Sequence, residues 1–289
     1  MARDPMSVSD ARTATKTGQF ADLYPYLRIG TGPKTLLVIP GLGDAMFDGE
    51  YGRQETWFFK QLFDGFLDEY TVYVVSRPRG LADDYFVEAM AQDYARVLES
   101  DTGSASVLGL SMGGLIAQEV ARERPDLVER LVVGVSGCRL AANGRPLVRQ
   151  LRSFALEEDW IALRSHLYEH MFTGVRGRLY PLLSRTAGRL QPPTPAAPGD
   201  VVTSLDAVLE YDGSDRLGEI EPRTLVIGAA EDPFFTEAIL RETHAGLPDS
   251  QLAMYRDGKH GVFLEKRAGF TGWIRRFLEG ETARVPQQP

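Results

Sequence analysis

Residues 107–114 read VLGLSMGG, and the chain is organised around Ser111 between Gly109 and Gly113. A strand-like apolar run at 105–108 feeds a Gly-x-Ser-x-Gly turn, and a helical pattern at 115–122 follows at once. A serine at such a strand–turn–helix elbow is pressed into strained backbone geometry. Glycines two residues to either side keep Cβ atoms out of the place where strand and helix nearly collide. The hydroxyl is then held out at the top of a sheet. In a chain with 29 glycines a bare GxSxG is a weak pattern, and the flanking strand and helix give it force. The competing reading is a glycine-rich turn whose serine only caps the helix behind it.

Working outward, residues 35–39 (TLLVI), 71–76 (TVYVVS), 131–135 and 224–227 (TLVI) are apolar runs of the kind buried on both faces of a parallel sheet. A further strand is expected around 252–255, and a short edge strand at 26–29 after Pro25. Helical spacing appears at 56–67, 84–98, 237–245 and 269–278, the last with Phe270, Trp273, Ile274 and Phe277 on one face. Strand and helix alternate. The fold class is therefore α/β, a mostly parallel twisted sheet flanked by helices.

The rhythm breaks after Cys138. Residues 139–215 lack a comparable apolar β run, carry helical patches at 146–156, 159–171 and 201–209, and include a proline-rich link at 191–198. The expected organisation is a lead-in at 1–20, an α/β core from 21–138 and 216–279, a helical cap at 139–215 and a tail at 280–289. Between 139 and 189 stand nine arginines against Glu157, Glu158, Asp159 and Glu169. They read as solvated helix faces or, more sharply, as a basic lid over a cleft rimmed by the acidic loop 44–55.

A formal net charge of −8 and the absence of any basic run argue against nucleic acid as a partner. No stretch is apolar enough to be a secretion signal or a membrane span, so the cytoplasm is the expected setting. Cys138, the single cysteine, excludes an internal disulfide and reads as a small apolar filler. His166 and His170 have a zinc-compatible spacing, but Glu does not follow the first His and no third ligand stands out, so they read as ordinary helix residues. No metal or other cofactor is expected. The oligomeric state, monomer or homodimer, stays open.

A neutral serine hydroxyl needs a base, and the base needs a partner that fixes its tautomer. His260 follows the last strand and Asp232 the one before it, so both belong to loops at the sheet edge that carries Ser111. Glu231 is an alternative acid, one residue away. The backbone amides of Met112 and of Leu42, in the glycine-rich loop after TLLVI, are the expected oxyanion donors. Trp57, Phe58, Phe234 and Phe235 are candidates for contact with an apolar substrate, with Trp160, Tyr168 and Phe172 further aromatics that could line a pocket or simply be core.

VIPGLGD at 38–44, GLSMGG at 109–114, IEPRTLVIGAAEDP at 220–233 and KHGVFLE at 259–265 together resemble the α/β-hydrolase superfamily, in its lipase, esterase and peptidase-like branch with a helical cap after the sixth strand. The resemblance runs over about residues 26–278. It implies Ser111 as nucleophile, Asp232 as acid, His260 as base, and Leu42 and Met112 as oxyanion donors. Pro40 departs from it, since many members have His before the glycine of the oxyanion loop. The expected activity is a cofactor-independent, carboxylesterase- or lipase-like serine hydrolase acting on a small-molecule ester through an acyl-enzyme on Ser111. The same residues would suit amide, thioester or C–C cleavage, or a ligand-binding receptor that retains the triad.

Overall fold

The apolar runs pair side by side. A computed structural model describes residues 14–281, and the strands among them form one eight-stranded sheet. They are β1 (Thr15–Phe20), β2 (Tyr24–Ile29), β3 (Lys34–Ile39), β4 (Tyr70–Val75), β5 (Ala105–Leu110), β6 (Val128–Gly134), β7 (Thr224–Ala229) and β8 (Ser250–Tyr255). Their order is β1-β2-β4-β3-β5-β6-β7-β8, antiparallel from β1 to β4 and parallel from there on. The chain's order reverses around β3 and β5, so the loops after those strands diverge and leave a crevice at their carboxyl ends.

The two-residue period of a strand sends alternate side chains to opposite faces. Leu36 and Val38 of β3 join Leu62 and Phe63 of α1 (Arg53–Phe63) and Phe270, Ile274 and Phe277 of α10 (Arg267–Leu278). Leu37 and Ile39 join the core on the other side, with Met90 of α2 (Val87–Val97), Ile116 of α3 (Met112–Glu123) and Ile239 of α8 (Glu237–Gly246). Burying each such side chain contributes roughly 1.5–3 kcal/mol. Both faces of the sheet are thus covered.

Between β6 and β7 lie α4 (Arg145–Leu156), α5 (Trp160–Met171), α6 (Gly174–Arg185) and α7 (Pro198–Glu210); α9 (Val262–Glu265) follows β8. Helix α6 was not expected, because it carries Gly177 and an internal Pro181 and its leucines do not point inward. None of the described helices is long and apolar enough to cross a membrane.

Two expectations need correction. Residues 15–20, read as part of the lead-in, form β1, whose side chains are mostly exposed and whose Phe20 stacks on Tyr26 with ring centroids 4.1 Å apart. An outer strand needs little apolar patterning, and its turn uses Ala21 and Asp22 at positive φ rather than the usual Asn-Gly. In consequence β2 is not the edge strand. Residues 1–13, the rest of the expected lead-in, and 282–289 of the expected tail lie outside the described residues.

Candidate active site

Strand β5 ends at the sheet's centre, and Ser111 caps α3 with φ +55° and ψ −121°, a strained conformation for a residue with a Cβ. The elbow is as tight as its glycines imply. A Cβ on Gly109 would lie 2.2 Å from the Gly113 carbonyl oxygen, and one on Gly113 would lie 2.0 Å from the Ile39 carbonyl oxygen. The Ser111 amide donates to the Gly134 carbonyl at 2.9 Å, fixing the turn to β6.

The loops after β7 and β8 bring two more groups to this point. His260 Nε2 is 2.9 Å from Ser111 Oγ, and its Nδ1 is 2.7 Å from Asp232 Oδ2. Asp232 and His260 are both buried. The other carboxylate oxygen accepts from the amides of Phe234 at 2.8 Å and Phe235 at 3.2 Å. A carboxylate held in this way takes the Nδ1–H, which leaves the Nε2 lone pair facing the hydroxyl; such an imidazole can accept the serine proton. Phe234 packs edge-on to the His260 ring at 5.0 Å and Phe235 stacks on it at 6.1 Å. Glu231 is exposed, and its amide donates to Gly258; it is Asp232 that meets the imidazole.

Leu42 and Met112 each stand at the first position of a helical turn, Leu42–Met46 and α3, where an amide has no carbonyl within its own helix to bond. The loop bearing Leu42 is fastened by residues that motif reading passed over. Arg77, fully buried, donates Nη1 to the Pro40 carbonyl at 3.3 Å and Nη2 to the Gly41 carbonyl at 3.2 Å. Its own amide donates to Asp44 Oδ2 at 3.1 Å, and Arg79 holds Asp44 Oδ1 at 3.2 Å. The carbonyl of Gly41 and the N–H of Leu42 belong to one planar peptide and point opposite ways. By holding the first, Arg77 aims the second. An arginine in a loop after an apolar strand is ordinarily exposed, so nothing in the sequence around Arg77 signals its burial.

Two cavities flank Ser111 and His260. One, of about 430 Å³, is walled by Phe58, Phe59, Leu62, Leu167, Met171 and Phe263. The other, about 50 Å³, lies among Leu140, Val148, Leu151, Leu205, Phe234 and Phe235. Of the expected substrate contacts, Phe58 borders the larger cavity, Phe234 and Phe235 the smaller, and Trp57 an adjoining groove that it shares with Phe58 and Tyr168. Trp160 and Phe172 line none of these.

Helix α5 is latched to the His260 loop through Gly261 N–H to the Met171 carbonyl at 2.8 Å. The basic-lid idea is not supported: among the described residues no ion pair joins an arginine of 139–189 to the 44–55 stretch, because Asp44 is taken by Arg77 and Arg79, while Arg139, Arg152 and Arg185 pair with Glu242, Asp206 and Glu169. One group among the described residues has metal-compatible donors, His166, Glu169 and His170, all within 4.8 Å of one another. Glu169 is the third group that the test for Glu directly after His166 did not register. Burial lowers the pKa of both imidazoles. Cys138 is buried, and burial raises its thiol pKa to about 11, so at neutral pH it is protonated filler.

A family model described as the alpha/beta hydrolase family matches residues 36–272. The chain is 26% identical over 275 residues, 90% of its length and 88% of the relative's, to a pimeloyl-[acyl-carrier protein] methyl ester esterase of Neisseria meningitidis serogroup C. Among solved structures it resembles an enol-lactonase from Burkholderia xenovorans LB400 (TM-score 0.72, 18% identity, covering 89% of this chain and 96% of that one). It also resembles an α/β-hydrolase enzyme from a Medee basin deep-sea metagenome library (TM-score 0.77, 16% identity, covering 94% and 100%).

Proposed function

The chain belongs to the alpha/beta hydrolase family, and on that premise we propose that it is a serine hydrolase which cleaves a carboxylic ester through an acyl-enzyme on Ser111. The observation that carries this reading is the line of hydrogen bonds from Ser111 through His260 to Asp232. In the first half-reaction His260 Nε2 takes the hydroxyl proton as Ser111 Oγ attacks the ester carbon. The oxyanion is received by the N–H groups of Leu42 and Met112, and collapse expels the alcohol, which takes its proton from His260. Water then repeats the sequence on the acyl-serine and releases the acid. Asp232 keeps the imidazole in its working tautomer throughout.

The two cavities support an unequal, apolar substrate. The larger has room for a long acyl chain or a ring, while the smaller, at about 50 Å³, suits a methyl- or ethyl-sized group. A methyl ester of a longer acyl group, the chemistry named for the Neisseria relative, has this shape. We read 139–215 as a cap on a core made of 21–138 and 216–279, since α5 supplies Leu167 and Met171 to the larger cavity.

A panel of methyl and p-nitrophenyl esters graded by acyl length tests the reading. Turnover should favour a small group on one side of the carbonyl and an apolar chain on the other. Hydrolysis of amides in preference to all such esters would contradict it.

A further inference from the structure

Helix α6 is amphipathic the wrong way round for a helix packed on a protein. At 3.6 residues per turn Val175, Leu179, Leu182 and Leu183 share about 100° of arc, and all four are exposed, Val175 at 77% and Leu182 at 57%. The opposite face, which packs on α5, is Gly177, Pro181 and Ser184; Ser165 Oγ donates to the Pro181 carbonyl and Arg164 Nε to Ser184 Oγ. Leu190, just past the helix in the turn Ala187–Leu190, is 91% exposed. A continuous exposed aliphatic face of this kind calls for something to cover it.

The charges around the stripe say what. Arg176 borders it on one side, Arg178 and Arg185 on the other, and Arg189 follows before Leu190. Arg185 pairs with Glu169, but among the described residues Arg176, Arg178 and Arg189 have no acidic partner. Aliphatic side chains in the middle with guanidinium groups at both borders are the pattern of a helix lying in the headgroup region of a bilayer. A second copy of the chain would bring like-charged borders together. The formal net charge of −8 opposes approach to an anionic surface, so the attraction has to come locally, from Arg176, Arg178 and Arg189 beside the stripe.

We propose that α6 and the turn after it dock the protein on an anionic phospholipid surface. Helix α6 neighbours the larger cavity through its flank: Tyr168, which lines the cavity, has its ring 6.3 Å from that of Tyr180, beside the leucine stripe on α6. An apolar ester dissolved in the lipid would then meet the cavity from the docked side. That last step rests on the proposed hydrolase reading; the docking does not, and Ser111→Ala should bind lipid as the wild type does.

The test is co-sedimentation of the full chain with vesicles of phosphatidylglycerol and phosphatidylcholine in equal parts, against phosphatidylcholine alone. The wild type and Ser111→Ala should sediment with the anionic vesicles and be released by salt. Leu179→Ser/Leu182→Ser/Leu183→Ser and Arg176→Gln/Arg178→Gln/Arg189→Gln should each bind about tenfold more weakly, with unchanged hydrolysis of a short soluble ester. Leu190→Ser, outside the helix, should weaken binding about threefold and guards against a triple variant that fails to fold. Wild type left in the supernatant, or binding untouched by these substitutions, would overturn the proposal. So would a wild-type dimer that the leucine variant splits without any vesicle uptake, or capture by an immobilised acidic protein in place of vesicles.

Discussion

The Arg77 guanidinium holds the Gly41 carbonyl at 3.2 Å from within the core, and together with the Asp44 amide, which donates to the same oxygen at 3.2 Å, it sets the direction of the next peptide N–H, that of Leu42. If the Leu42 amide stabilises charge that develops only in the transition state, its misalignment should reduce kcat and leave KM nearly alone. Arg77→Lys keeps a buried positive charge beside Asp44 but cannot fork across two carbonyls. We expect kcat per active site to fall about tenfold to a hundredfold with KM within about twofold. Active sites are to be counted by titration with a fluorophosphonate. A purely structural role would lower the count of competent sites and leave kcat per site unchanged.

The elbow itself should tolerate no side chain. In Gly113→Ala the new Cβ would fall 2.0 Å from the Ile39 carbonyl oxygen, and β3 and α3 are both too well packed to part. The cost should be about 3 kcal/mol or more, which thermal unfolding would register as a fall in Tm of roughly 6–12 °C. A variant that melts with the wild type would show that strand and helix are looser here than described.

Acid should weaken the packing around α5. Burial depresses the imidazole pKa of His166 and His170 below their ordinary 6.5, against Glu169, which favours the charged form of each. Arg185 opposes protonation of His166, and Lys259 and the neighbouring His166 oppose that of His170. Above 6.5 both imidazoles are neutral, folded or unfolded. As the pH drops below it, the unfolded chain takes up protons that the folded chain refuses, so this contribution to stability is lost progressively as the pH falls through the depressed values. Denaturant unfolding from pH 7.5 to 5 should show that decline, and His166→Asn/His170→Asn should flatten it. An equal slope in the variant would assign the decline to other groups.

What could be read in the sequence and what could not follow different physics. Strands β3 to β7 are apolar runs buried on both faces, so composition alone marks them, and the spacing of Ser111, Asp232 and His260 after strand ends brings them to one edge of the sheet. Strand β1 was not legible because an exposed outer strand is held by its backbone pairing, which the sequence TKTGQF does not advertise. Helix α6 was missed because its leucines face water and its inner side is built of Gly, Pro and Ser. Arg77 belongs to no motif. Its importance lies in two carbonyls more than thirty residues away, and only the fold brings them together.

The central claim is that His260 activates the Ser111 hydroxyl, and the measurement that meets it most directly is covalent labelling by a fluorophosphonate, read by intact mass. The wild type should gain one adduct, located at Ser111, at a rate that falls at least about a hundredfold in His260→Ala. Ser111→Ala should gain none. An adduct that forms as fast without the imidazole, or on any residue other than Ser111, would contradict the account.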